Sequence, residues 1–482
     1  MSATDLPVNR GLFYGGAWHR PSGGYKNTVN PATGEDLGQC ADADAADINA
    51  AVTAAHAGFG EWRNTTPVER SRVLRTAAQR LRDHAETLGF LDAVNCGNPV
   101  RDMITDVAMG ADTIDFFAGL ATETKGDSVP LGPDLLNYSI REPYGVCARI
   151  LAYNHPILFA STKIGAALAA GNSLILKPPT QAPLSAYRMM ELLEDVFPAG
   201  VLNLITCGQV GSEALVSHPL VPRISLIGSV QTGRAVAEIA SRRLKHVTLE
   251  LGGKNACVVF PDADIEKAGA GAVAGMNLAI CGQSCGSTSR LFIHESIHDE
   301  VVELVAAGMS ALQPGHPTDP ATQMGCLISM DHRARVESMV AGAVRSGARL
   351  VVGGTAPNHA DFADGPYYLP TLLADVTPHM DIAQQEIFGP VLSVIRWKDE
   401  EELFAAVNSV EYGLTASIWS QDLSLAHRAA RRIEAGFVWV NRTSAHFPGV
   451  SFGGFKQSGL GKEESLEELL SFTREKVVTV AL

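Results

Sequence analysis

Positive charge is scarce in this 482-residue chain: 38 Lys and Arg stand against 52 Asp and Glu, for a formal charge of −14. Such a surface repels phosphodiester backbones and anionic bilayers, so neither nucleic acid nor a membrane is expected as a partner. Long apolar runs are lacking as well. The most lipid-like stretch, between Lys163 and Lys177, is too short to cross a bilayer and contains Gly171, Asn172 and Ser173. The opening MSATDLPVNR has an acid and a proline but no basic start leading into an apolar stretch, so no secretory signal is expected. The eight cysteines, at 40, 96, 147, 207, 257, 281, 285 and 326, are scattered and form no CxxC pair. A disulfide framework is therefore not expected, and a reducing cytoplasm is. GxxxxGKS/T and HExxH are also absent, which leaves P-loop nucleotide hydrolases, zincins and a metal site without support. There is no internal repeat and no low-complexity block.

What is present is core material. Hydrophobic residues make up 46% of the chain and charged ones 19%, which excludes intrinsic disorder. At roughly 150 residues per domain the length predicts about three units. From Gly145 onward, apolar runs (VCARILAY, SLILK, VLNLI, RISLIG, HVTLEL) alternate with Ala-rich segments such as FASTKIGAALAA and RAVAEIASRRL. That alternation, with strands apolar on both faces, predicts an α/β fold whose parallel sheet is covered by helices. Residues 44–122 read as helices packed on the same sheet, among them SRVLRTAAQRLRDHAETLGFLDAV taken as one helical run. Gly132-Pro133-Asp134, flanked by extended runs, predicts a protruding hairpin. A second alternation runs from Ala256 to Phe452, and the tail KVVTVAL reads as a lone strand seeking an edge, such as the hairpin of a neighbouring subunit.

Three local patterns invite chemistry. GxGxxG/A matches at Gly269, Gly271 and Ala274, but inside a helical segment, where small residues serve close packing. Gly282-Gln283-Ser284-Cys285-Gly286 satisfies GxSxG, which would make Ser284 a hydrolase nucleophile. The nucleophile elbow needs a strand before the serine and a helix after it, and here 264–281 reads as helix and SRLFIH as strand. The same turn presents Cys285 between small neighbours, either as an accessible nucleophile or as a small buried residue. Glu250 ends the otherwise apolar strand VTLEL, where a carboxylate is costly unless it is paired or handles a proton. Cys281, four residues before Cys285 at a spacing compatible with one helix face, lacks the glycine setting and reads as structural.

Taken together and in order, the motifs resemble the aldehyde dehydrogenase superfamily over nearly the whole chain. They are Asn154 in YNHP, Lys177 in LKPPT, Gly228-Ser229 and Gly233 in IGSVQTG, Glu250 in LELGGK, Cys285 in GQSC, Glu386 and Phe388 in QEIFGPV, Asn441 in WVN, and SFGGFKQSGLGKE from Ser451. The resemblance implies a Rossmann-like cofactor domain (1–123 and 144–252), an α/β catalytic domain (253–453) and a small β oligomerisation element (124–143 and 466–482). It implies Cys285 as nucleophile, Asn154 as oxyanion donor and Glu250 as the base that activates water. Lys177, Thr180, Gly228, Ser229, Gly233, Glu386 and Phe388 would bind NAD or NADP, in a homodimer or homotetramer acting on a small aldehyde. Coenzyme A-acylating relatives lack the acid at Glu250, so the resemblance implies a hydrolytic product. A non-catalytic relative of the family is the rival reading, and retention of Cys285, Glu250 and Asn154 argues against it.

Departures from the family pattern mark the substrate pocket. His155 stands where an aromatic is more usual and Thr162 where a bulky aromatic often lines the tunnel. Ser284, His446 and Phe452 complete the expected lining. The chain has Thr180 where many members have a glutamate against the adenosine ribose.

Overall fold

A computed structural model describes residues 6–363 and 365–482, so the first five residues of the opening segment lie outside the described residues. Among the described residues no helix is long and apolar enough to cross a membrane. The first sheet has a parallel centre in the spatial order Leu202–Leu204, Ser173–Lys177, Val146–Ile150, Arg223–Ile227, His246–Glu250. The chain builds outward from Val146–Ile150 in one direction, then returns to build outward in the other. That reversal creates a crevice at the carboxyl ends of the strands, the usual seat of ligands in open α/β sheets. The second sheet runs Arg349–Val352, Thr371–Ala374, Val391–Trp397, Arg290–His294, Ala256–Val259, Thr415–Trp419, Phe437–Val440, parallel except at its first pair.

Helices cover both faces of the first sheet. Trp62, Leu74, Leu91 and Phe117 pack with Leu174 and Leu202 on one side, and Ile48, Val52 and Ala55 with Ile175 and Ile224 on the other. Capping boxes start two of them: Asp44 with Asp47 for Ala45–Trp62, and Thr66 with Glu69 for Pro67–Arg82. The run expected as one helix over 71–94 is two, Pro67–Arg82 and Ala85–Cys96. The His84 ring takes the Arg80 carbonyl at 2.9 Å, and the His84 N–H shifts to the Leu81 carbonyl. Side-chain competition for helix carbonyls ends the first helix there.

The expected hairpin forms from Ser128–Pro130 and Leu135–Pro143. The tail differs from the expectation. Thr473–Ala481 pairs antiparallel along all of Leu135–Pro143 of its own chain, because the short helix Leu466–Ser471 carries the C-terminus back past that edge. A second correction concerns Cys281. The helix expected to reach it ends at Ala274, and Asn277 and Cys281 both take left-handed backbone conformations. Cys281 therefore shares no helix face with Cys285. The GxGxxA match does lie inside the helix Ile265–Ala274, and a Cβ on Gly271 would sit 2.0 Å from Trp419, so its small residues serve packing.

Candidate active site

A cavity of about 520 Å³ opens between the two sheets. One wall is the helix Pro156–Ala169 with the residue before it. His155, Leu158, Phe159, Thr162 and Lys163 recur at helical spacing and face the space together. Asn154 lies just ahead of them, its carbonyl held by the Asn98 amide at 2.8 Å. Ser284, Cys285 and Gly286 line the cavity from the loop before Arg290–His294, and His446 and Phe452 from the segment after Phe437–Val440. The structure thus brings Asn154, His155, Thr162, Ser284, Cys285, His446 and Phe452 to one place.

Cys285 is the only one of the eight cysteines that is not fully buried, and all eight are free thiols. Its loop is clamped by Asn255, a residue the sequence reading passed over. The Asn255 amide donates to the carbonyls of Cys285 (2.7 Å) and Ser287 (3.0 Å), and its oxygen accepts from the Thr415 N–H at 3.0 Å. Gly253 must be glycine for this approach, since a Cβ there would lie 2.7 Å from the Cys285 carbonyl. A polar residue wedged between Gly252-Gly253-Lys254 and an apolar strand was the available signal. Burial pushes the Cys285 thiol up to about 12, with Glu386 and Glu250 adding to it. Ser284 serves the turn, its hydroxyl accepting from the Gly286 N–H at 3.2 Å. The helix lies before this serine and the strand after it, the reverse of a nucleophile elbow.

Glu250 ends His246–Glu250 at the carboxyl edge of the first sheet, and its backbone carbonyl accepts from the Gly228 N–H at 3.1 Å. No salt bridge pairs it among the described residues. Neither carboxylate oxygen has a hydrogen-bond partner among the described residues. Burial holds this carboxyl well above the usual range, Glu463 reinforces the shift and Lys163 opposes it. The protonated form of Glu250 is therefore favoured more than in a solvated carboxyl. Behind it lies an ion cluster spread over distant segments. Glu463 accepts from Arg149 at 2.7 Å and from Lys163 at 2.6 Å, and Glu468 accepts from Arg149 at 2.5 Å. Burial opposes ionisation of Glu463, but Lys163 and Arg149 overcome it and hold its carboxyl at about 2.

Two histidines of the cavity wall are paired with carboxylates. His155 Nδ1 lies 2.7 Å from Asp106 Oδ2, and His446 Nδ1 lies 3.2 Å from Glu464 Oε2. For His155, burial works against charging, but Asp106 outweighs it and raises the ring's pKa.

The expected cofactor residues gather at the carboxyl edge of the first sheet. Ser229 caps the helix Val230–Ser241 after Gly228, accepting from the Thr232 N–H and leaving other N–H groups of the first turn directed outward, a setting suited to phosphate. Lys177 ends its strand, and Thr180 is exposed with its hydroxyl 3.3 Å from Gln181 Oε1. Gly233 sits one turn into the helix, where a Cβ would lie 2.5 Å from Leu251, so its smallness serves helix–strand packing. Glu386, just ahead of the second-sheet strand Val391–Trp397, accepts from the Gly253 N–H at 3.1 Å. Burial pushes its carboxyl up to about 7. Phe388 holds a left-handed backbone conformation, φ 58°, its carbonyl bound by the His332 ring at 2.7 Å and its ring edge-on to Tyr153.

Comparison with known proteins gives the family. Residues 18–478 match the model of the aldehyde dehydrogenase family. Aldehyde dehydrogenase tropH of Talaromyces stipitatus is 48% identical over 491 residues, spanning 99% of this chain and 94% of that protein. PnpE from Pseudomonas sp. WBC-3, solved in complex with nicotinamide adenine dinucleotide, has a TM-score of 0.96 at 38% identity over 98% of each chain. The NAD+ complex of aldehyde dehydrogenase from Bacillus cereus has a TM-score of 0.95 at 34% identity, covering 99% of this chain and 98% of that one. The chain belongs to the aldehyde dehydrogenase family.

Proposed function

We propose that this protein oxidises a small aldehyde to its carboxylic acid with NAD or NADP, through a thiohemiacetal and a thioester on Cys285. The observation that carries the reading is the placement of the one incompletely buried cysteine in a cavity shared with Asn154 and within the field of Glu250. The Cys285 thiol gives up its proton to solvent and adds as thiolate to the carbonyl carbon, and the Asn154 amide with the Cys285 backbone N–H holds the oxyanion. The bound oxidised nicotinamide supplies the hydride acceptor and a positive charge. Glu250, once deprotonated, takes a proton from the water that attacks the thioester, which releases the acid and restores the sulfur. The clamp on the 285–287 carbonyls keeps the thiol aimed into the cavity.

The residues present fit a dinucleotide. The Ser229-capped helix offers N–H groups to the pyrophosphate, Lys177 a donor to the adenosine ribose, and Glu386 the carboxylate oxygen left free by Gly253 to the nicotinamide ribose. Residues 1–123 and 144–252 form the cofactor domain and 253–453 the catalytic domain. The sheet of 124–143 and 466–482 serves homo-oligomer formation, a role supported by its exposed Leu135, Leu136, Ile140 and Val477. Eight free thiols suit a reducing compartment such as the cytoplasm. The test is direct: purified protein is mixed with NAD or NADP and a panel of aldehydes while absorbance of the reduced nicotinamide is followed. Binding of the dinucleotide without reduction by any aldehyde would instead establish the non-catalytic relative.

Asn154→Ala is expected to slow acylation roughly ten-fold to a thousand-fold, the range for losing one oxyanion donor, with a smaller change in aldehyde KM. A large KM effect at constant kcat would make Asn154 a ground-state binding residue.

Thr180 sets an expectation for cofactor choice. A carboxylate about 5 Å from a 2′-phosphate costs about 3 kcal/mol per charge pair at an effective dielectric near 20, and at this exposed position solvent reduces it. Without that carboxylate, NADP is expected to support turnover within about tenfold of NAD or better. Thr180→Glu should lower NADP use selectively, by about an order of magnitude or more. Steady-state kinetics with both cofactors decides it, and an unchanged NADP-to-NAD ratio in the variant contradicts the assignment.

A further inference from the structure

Beside Asn154 the cavity wall carries an imidazole that the reaction above does not use. A carboxylate accepts and cannot donate, so the 2.7 Å contact with Asp106 places a proton on His155 Nδ1. Nε2 makes no hydrogen bond with the described residues, while the His155 side chain is 23% exposed and lines the cavity. The pair fixes what Nε2 offers. In the neutral ring it accepts from an O–H, and in the charged ring it donates to an oxygen. A hydroxyl on the substrate satisfies both forms, whereas a methyl in its place satisfies neither.

The surroundings narrow the class further. The Phe159 ring stands edge-on to His155 at 5.8 Å, and Phe452 lies 4.6 Å from His446, so flat aromatic surfaces border the space. The lining also carries Asp106, Asp112, Glu464 and Glu468, paired with His155, Arg82, His446 and Arg149, but no arginine, and its one lysine, Lys163, is bound to Glu463. An anionic substituent finds no unpaired arginine or lysine there to offset the cost of leaving water. Resting on the aldehyde-oxidising reading, we propose that His155, held by Asp106 as its positioning residue, makes the protein select neutral aromatic aldehydes that bear a ring hydroxyl.

The experiment compares kcat/KM of the full-length protein with NAD for the three hydroxybenzaldehydes, the three methylbenzaldehydes of matching shape, 3-carboxybenzaldehyde and hexanal. The best hydroxyl isomer is expected to exceed its methyl counterpart at least about tenfold, since a site built to bond a hydroxyl rejects the analogue lacking it. Carboxybenzaldehyde should fall below the hydroxyl isomers. In His155→Phe the hydroxyl-to-methyl ratio is expected to collapse to about one, and in Asp106→Ala to fall several-fold; as a ratio between substrates of equal size, it is insensitive to a general loss of active protein. A ratio near one in the unmodified protein overturns the proposal. So does a ratio that survives His155→Phe, one that is lost only in His446→Phe, or a preference for carboxybenzaldehyde. Oxidation of hexanal alone overturns this inference and leaves the aldehyde-oxidising reading standing, whereas failure with every aldehyde overturns both.

Discussion

Replacing Cys285 with serine is expected to lower aldehyde oxidation at least about a thousandfold while leaving dinucleotide binding in place. An ordinary thiol ionises near ~8.5 and is partly anionic at neutral pH, whereas an alcohol has almost no anionic form there. Burial raises the resting Cys285 thiol to about 12, so the site must create its nucleophile during the reaction. Two measurements check this. Cofactor fluorescence titration should give the same Kd for variant and parent, and stopped-flow should show no rapid release of reduced cofactor from the variant. Alkylation by iodoacetamide should mark Cys285 first, since the other seven thiols are buried. Because the raised pKa leaves little thiolate at neutral pH, the cofactor-free rate should climb about tenfold per pH unit up to about pH 10. Cys281→Ser should retain activity, because that thiol is buried and donates to the Gly325 carbonyl at 3.0 Å. Wild-type turnover in Cys285→Ser, or loss of activity in Cys281→Ser alone, would move the nucleophile elsewhere.

Glu250→Gln should separate the two halves of the reaction. An amide cannot take a proton from water, so deacylation is expected to slow by two orders of magnitude or more while hydride transfer continues. Rapid mixing should show a burst of reduced cofactor approaching one equivalent per site, followed by a slow steady state. The pH profile gives a second signature. Burial and Glu463 raise the Glu250 carboxyl well above the usual carboxylate range, so its basic form is gained as pH rises through that raised value. Deacylation in the parent should therefore increase as pH rises through that value, and in the variant this dependence should flatten. A variant without any burst but with an intact, alkylatable thiol would place Glu250 in the first half-reaction, as the group that deprotonates Cys285.

Much of the site is legible before any coordinates because the chemistry-bearing residues sit in short, contiguous motifs. Cys285 is announced by its small neighbours, Glu250 by its cost in an apolar strand, and Ser229 by the glycine before a helix. Strand–helix alternation is likewise local, since the periodicity of apolar residues reflects faces that each element buries. Helix ends are less legible, as at Arg82, because the break depends on one histidine ring competing for a carbonyl.

Residues distant in the chain carry the rest. Asp106 stands against His155 across 49 positions, and Arg149 binds Glu463 across 314. No local pattern links such residues, yet Glu463, far along the chain, adds to the burial that raises the Glu250 carboxyl. The tail is the plainest case. Its apolar alternation announces a strand, but an edge strand pairs with whichever edge the path of the chain brings beside it. The helix Leu466–Ser471 delivers it to the hairpin of its own chain. Composition and motif thus specify which reactive groups the protein owns and which elements bear them. Their partners, burial and protonation are properties of the packed whole, because solvation and electric field depend on every neighbour in space and not on neighbours in sequence.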